Sequence, residues 1–160
     1  MIEPKSGPWA LVLTRQKVPF LGARRAPVEK GAYVIADANG SPDLILIATG
    51  SEVSLALETK KLLDAQDIGT RVVSMPCWTL FAKQPQSYRD KVLPPEVTAR
   101  MSIEAAATFG WSRWVGDKGV AFGIDRFGMS APAADIAEAL GFTPKAVAKI
   151  AQDSFAFATS

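Results

Sequence analysis

Leu44-Ile45-Leu46-Ile47-Ala48-Thr49-Gly50-Ser51-Glu52-Val53 is an apolar run that stops at a Gly-Ser turn and enters a helical pattern. Four consecutive branched aliphatics leave no polar face, which predicts a parallel strand covered on both sides. Gly50 gives the chain freedom to turn sharply, and Ser51 is placed to accept a hydrogen bond from the first amides of the next helix. That helix is expected from Ser51 to about Gln66, with Leu55, Ala56, Thr59, Leu62 and Leu63 on its buried face. Gly69 ends the connection and Arg71-Val72-Val73-Ser74-Met75 is the next strand. Residues 44–75 therefore read as a strand-helix-strand crossover, expected right-handed, and the chain as an α/β domain.

Working outward, Tyr33-Val34-Ile35-Ala36 reads as a short strand, and the turn-rich Asp37-Ala38-Asn39-Gly40-Ser41-Pro42 is compatible with its antiparallel pairing to the strand at Leu44. Before it, residues 17–30 carry Pro19, Gly22, Arg24, Arg25 and Pro27 without a usable period, as an interdomain arm does. Trp9-Ala10-Leu11-Val12-Leu13-Thr14 then reads as a buried strand of a separate folding unit, ending in Arg15-Gln16. Toward the C-terminus, Pro76 to Phe81 forms an aromatic loop and Pro85 opens a short helix to Val92. Strands follow at residues 99–104 and 120–124, separated by a bulky turn from Gly110 to Gly116. Two helices close the chain, one from Pro132 to Leu140 and one capped by Thr143-Pro144, with Val147, Ile150, Ala151 and Phe155 on one face.

A chain of 160 residues can bury about 70% of its unfolded surface in one core. The net charge of +2 is too small to suggest a polyanion, so nucleic acid is not an expected partner. One cysteine, Cys77, excludes an internal disulfide, and the absence of histidine removes both a zinc ligand set and the Ser-His and Cys-His nucleophile pairs. No apolar run approaches the ~20 residues that span a bilayer, and the first residues are not a signal peptide, so no membrane partner is expected and the cytoplasm is the expected compartment.

Arg15, at the end of a strand, suits a phosphate at a sheet edge or simply solvates that edge. The Thr49-Gly50-Ser51 turn has the amides to bind an anion but lacks the spacing of either glycine-rich phosphate loop, which favours a structural role. Asp125-Arg126-Phe127-Gly128 fits either an interface anchored by Phe127 or an internal ion pair beside a buried Phe. Glu104 is either a proton-transfer group or a strand-end cap, and Cys77, with no predicted base nearby, is read as an inert thiol.

Leu13-Thr14-Arg15-Gln16, Ala48 to Val53, Arg71 to Pro76, Lys83 to Arg89 with Val92-Leu93-Pro94, and Phe122 to Gly128 together strongly resemble the transketolase family. The resemblance covers essentially the whole chain. It implies that residues 1–30 are the end of that family's pyrimidine-binding domain plus linker and residues 31–160 its C-terminal domain, a three-layer α/β/α unit with a five-stranded, mixed, mostly parallel sheet. It further implies a homodimeric enzyme that moves a two-carbon ketol unit between sugar phosphates in the pentose phosphate pathway, using thiamine diphosphate and Mg or Ca. The family's cofactor, metal and catalytic residues belong to domains other than this one, so neither catalytic residues nor a cofactor is expected within the chain, and it is expected to be inactive alone. Arg15 matches the family's Leu-Ser-Arg-Gln arginine, which contacts the substrate phosphate, with Thr14 in place of Ser. The alternatives are a stand-alone phosphate, nucleotide or dimerisation module, or part of another thiamine enzyme such as deoxyxylulose-phosphate synthase. Without partner domains, the strand at 9–14 and the loops at Trp78 and Trp111 are expected to expose apolar surface.

Overall fold

The computed structural model describes residues 10, 12–14, 16–21 and 26–159. Among the described residues, five strands and six α-helices follow a short 3-10 turn at Val28–Lys30. They are β1 (Tyr33–Ala36), β2 (Leu44–Ala48), α1 (Glu52–Asp64), β3 (Thr70–Ser74), α2 (Trp78–Ala82), α3 (Gln86–Val92), β4 (Arg100–Ile103), α4 (Ser112–Val115), β5 (Val120–Phe122), α5 (Ala133–Ala139) and α6 (Pro144–Thr159).

The apolar run at 44–48 is the middle strand of the sheet, whose order is β1-β3-β2-β4-β5. Parallel neighbours β3 and β4 flank it, β5 is parallel to β4, and β1 is antiparallel to β3. Every residue of β2 is fully buried, because successive side chains enter opposite cores. Leu44, Leu46 and Ala48 join Val72, Met101 and Ile103 beneath α1 and α6, while Ile45 and Ile47 join Val73 and Met75 beneath Phe81, Val92, Trp111 and Trp114. The result is the expected α/β/α sandwich with a mixed, mostly parallel sheet.

Helix α1 buries Val53, Ala56, Thr59 and Leu63, and α6 buries Val147, Ala148, Ala151, Ser154 and Ala158. Thr143 caps α6 as expected, its Oγ1 accepting the Ala146 N–H at 3.3 Å. At the N-terminal edge Arg71, in register with Ile45, is buried and donates two bonds to Asp37, at 2.8 and 3.0 Å, and further bonds to the carbonyls of Lys91 and Val92. One guanidinium thereby ties the β1–β2 turn and the end of α3 to β3. Burial works to raise the Asp37 carboxyl, but the Arg71 bond and the Ala38 N–H outweigh it and hold it below its ordinary value.

Three expectations are corrected. Strand β1 does not pair with β2, because β3 and β4 already occupy both hydrogen-bonding edges of β2; β1 takes the outer edge of β3 instead, Tyr33 opposite Ser74. The Pro76–Phe81 and Gly110–Gly116 segments are not open loops but contain the single-turn helices α2 and α4, too short to show a period in sequence. The strand expected at 9–14 is absent at Ala10 and Val12–Thr14, which are exposed and without strand structure; Trp9 and Leu11 lie outside the described residues. Within that segment Val12 is 92% and Leu13 73% exposed, the apolar exposure expected of it.

Truncation of Leu46 to Ala should lower the unfolding free energy by about 2–5 kcal/mol, read from urea denaturation of the whole chain. A loss under about 1 kcal/mol would show that the centre of the sheet can collapse around the void.

Candidate functional site

Ligands in open α/β sheets usually lie beyond the carboxyl ends of the strands, and here Ser74, Ala48, Ile103 and Phe122 end four parallel strands in one row. The loops leaving that row contain Thr49-Gly50-Ser51, Cys77, Glu104 and Asp125, every candidate named from the sequence except Arg15. Arg15 lies outside the described residues.

Gly50 turns the chain with φ of +57°, the left-handed conformation that favours glycine. Ser51 does not cap α1. Its Oγ donates to Glu52 Oε1 at 2.7 Å, and Glu52 Oε2 accepts the Ala105 N–H at 3.3 Å from the loop after β4. A carboxylate in the first turn satisfies the helix dipole and repels an anion, so this turn is structural.

Glu104 is also committed. Its Oε2 accepts the Trp111 indole N–H at 2.6 Å, and Trp111 meets Trp78 edge to face with centroids 4.9 Å apart. Gly110, at φ +88°, lies so close to this pair that a Cβ there would come within 2.7 Å of the Trp78 ring. Trp111 is only 1% exposed, which overturns the expectation that the loops at Trp78 and Trp111 lose their partners. The partners are inside the chain, brought together by α2, α4 and the strand-end carboxylate.

Asp125 accepts the Thr108 N–H at 2.9 Å and the Thr108 hydroxyl at 2.7 Å. These bonds, the hydroxyl first and the amide second, hold the Asp125 carboxyl below its ordinary value against a small opposing effect of burial. Asp125 thus joins two loops, and none of the described ion pairs includes it. Phe127 is 96% exposed rather than buried, and Phe109, beside Thr108, is 91% exposed. Cys77 is a half-buried free thiol whose backbone bonds Gly31 and Phe81.

Chemically, this rim is a set of carboxylate ties that present two phenylalanines to solvent. It has no nucleophile beside a free base, and among the described residues no three His, Cys, Asp or Glu come together to hold a metal ion. No helix among the described residues is long and apolar enough to cross a membrane. A larger depression, of about 730 Å³, lies at the opposite edge beside Asp43, Arg71, Glu96 and Phe155, but Arg71 is already spent on Asp37 and two carbonyls. The Glu52, Glu104 and Trp111 connections had no local signal, since each joins residues whose proximity the sheet creates; Glu104 at a strand end was the one pointer.

Comparison with known proteins gives a consistent answer. The family model described as "Transketolase-like TK C-terminal domain" matches residues 31–143. Over 151 residues the chain is 48% identical to a transketolase of Aquifex aeolicus, covering 92% of this chain and 22% of that protein. Over 147 residues it is 51% identical to a transketolase of Geobacillus stearothermophilus, covering 89% of this chain and 22% of the relative. A crystal structure of a transketolase mutant from Pichia stipitis superposes with a TM-score of 0.82 at 40% identity, covering 89% of this chain and 21% of that one. The chain spans about a fifth of the length of these relatives.

Replacing Thr108 by Val removes the stronger of the two bonds to Asp125. Its titration, followed by carbon-13 NMR of the carboxyl, should move up toward the ordinary carboxylate value. In the unaltered chain the ionised form is the one stabilised. The contribution is therefore complete above the unfolded-state value and is lost as pH falls through the lowered folded value. An unchanged midpoint in the Val variant would contradict the tie.

Proposed function

The chain belongs to the transketolase family as its C-terminal domain, and from that premise we propose that it is the C-terminal portion of a longer, cytoplasmic, homodimeric enzyme of the pentose phosphate pathway that transfers a two-carbon ketol unit between sugar phosphates. The observation that carries this reading is near-50% identity through about nine tenths of this chain, against coverage of about a fifth of each relative. Residues 31–160 form the domain itself, and residues 1–30 are the end of the pyrimidine-binding domain with its linker.

In the intact enzyme thiamine diphosphate, held with a divalent metal such as Mg or Ca, supplies the carbanion-stabilising chemistry. The described residues of this chain do not fit that group: they include no histidine, Glu52, Glu104, Asp125 and Asp37 are engaged with Ala105, Trp111, Thr108 and Arg71, and no three His, Cys, Asp or Glu among them gather for a cation. On this reading the cofactor belongs to the other domains of the enzyme, and the chain alone is inactive. Its role is dimer contact, structure or regulation, for which the exposed Phe109 and Phe127 on tied loops are suited. Arg15 contributes a guanidinium to the phosphate of the sugar substrate, where a planar fork matches a phosphate better than an ammonium does.

The reading of a stand-alone module that takes phosphate on the Gly50-Ser51 turn is disfavoured by Glu52, whose carboxylate sits on that turn. Membership of another thiamine enzyme such as deoxyxylulose-phosphate synthase is less consistent with relatives that are transketolases by name.

A ketol-transfer assay with a ketose phosphate donor, an aldose phosphate acceptor, thiamine diphosphate and Mg tests the proposal. The chain alone should give no turnover above background, and a polypeptide that also carries the upstream domains should turn over. In that longer protein Arg15→Ala should raise KM for the sugar phosphate by about tenfold to a hundredfold, the effect of losing a charge-assisted bond. Turnover by the chain alone, or an unchanged KM, would overturn it.

A further inference from the structure

The chain contains a single asparagine, Asn39, and the residue after it is Gly40. The pair sits in the connection between β1 and β2, and both residues are exposed. Because β1 pairs with β3 and not with β2, no hairpin ladder braces this connection, which runs from Asp37 to Asp43 between strands that are not neighbours. Its two ends are nevertheless fixed. Asp37 accepts from Arg71 Nε at 2.8 Å, and the Asp43 carboxylate accepts the Gly69 N–H at 2.8 Å.

Between those ends the Asn39 carboxamide is unrestrained. The hydrogen bonds around it run from the Ala38 N–H to Asp37 at 3.0 Å and from the Gly40 N–H to the Ala38 carbonyl at 3.0 Å, and none of those described includes the Asn39 side chain. By contrast Gln66, Gln84, Gln86 and Gln152 all hold partners through their carboxamides. The Gly40 bond spans only two residues of an exposed turn, and such local bonds open readily to water. Gly40 has φ of +114°, and a Cβ built on it would meet nothing within 4 Å. Neither a side chain of its own nor a packed neighbour crowds its backbone. An open depression of about 730 Å³ borders Gly40, Ser41 and Asp43 and admits water to the turn.

We propose that Asn39-Gly40 is a site of spontaneous covalent modification, in which the Gly40 nitrogen closes on the Asn39 side chain and the asparagine becomes aspartate and isoaspartate. The Gly40 nitrogen gives up its proton to hydroxide and forms a bond to Asn39 Cγ. The bond from Cγ to the carboxamide nitrogen breaks, and that nitrogen leaves as ammonia with a proton from water. Water then adds to one of the two carbonyls of the cyclic imide. Opening the Cγ bond to nitrogen gives aspartate with the main chain restored. Opening the bond from the main-chain carbonyl of residue 39 gives isoaspartate, in which the main chain runs through the side chain. One water is consumed and one ammonia released, with no change of oxidation state. Glycine suits the second position because a β-carbon would crowd the closing ring. Each event adds one negative charge to a chain of net charge +2, and the isoaspartate form lengthens the main chain between the two fixed ends. The site is independent of Arg15 and of the ketol-transfer reading.

The test holds the whole folded chain at mildly alkaline pH beside a sample unfolded in guanidinium. The peptide containing residue 39 should gain the mass difference between a hydroxyl and an amino group. The intact chain should shift to the acidic side on isoelectric focusing, and a protein isoaspartate methyltransferase should methylate the product. The rate should rise in proportion to hydroxide and stay within about tenfold of the unfolded sample, the ratio that a small difference in activation barrier allows. Asn39→Gln, a change at an exposed position whose longer side chain closes the ring less readily, should lose all three signals. A folded chain that keeps Asn39 intact while the unfolded sample converts would overturn the site. So would signals that persist in the Gln variant, or a mass gain without isoaspartate, which is direct hydrolysis of the side chain rather than ring closure.

Discussion

The burial of β2 on both faces is the constraint on which the remainder of the fold depends. A strand with no polar side can exist in water only if both faces are covered and both edges are paired. The first requirement places α1 and α6 on one side and α2, α3 and α4 on the other. The second commits the edges of β2 to β3 and β4, which sends β1 to the outside of β3 and leaves β5 as the opposite margin. The outermost strands are the half-buried ones, as their position demands.

Once four parallel strands end in a row, their loops must be held, and the chain does so with carboxylates. Glu52 binds the loop after β4, Glu104 fixes the Trp111 indole, and Asp125 joins the loop of Thr108 to its own. Arg71 does the same at the opposite edge with Asp37 as its counterpart. An ionised group that accepts or donates several bonds is an efficient tie because each charge-assisted bond is stronger than a neutral one. The consequence for function is direct. Groups that look available for acid–base chemistry in a linear reading are already engaged, and what the rim offers outward is apolar.

Much of the architecture was legible in the sequence. The strand at 44–48, the helix after Gly50, the capped final helix and the count of five strands all follow from periodicity and from residues such as Gly69, Thr143 and Pro144, which act through their nearest neighbours. The candidate site was legible only as positions at strand ends. Glu104 and Asp125 stood out as carboxylates, but whether each was free or bound depended on Trp111 and Thr108, whose approach the order of the strands creates. Asn39-Gly40 was legible as a turn signal, but the connection that holds it is unbraced only because the strand order separates β1 from β2.

By itself, then, the sequence determined the α/β class, the β-α-β unit at its centre and, through motifs spread over the whole chain, the family. Each of these rests on local conformational preference or on residue identity. Tertiary structure alone decided that β1 pairs with β3, that the two short tryptophan-bearing segments form helices with buried partners, and which charged groups are spent. Those outcomes depend on competition for a limited number of strand edges and hydrogen-bond acceptors, a competition settled only when distant segments meet.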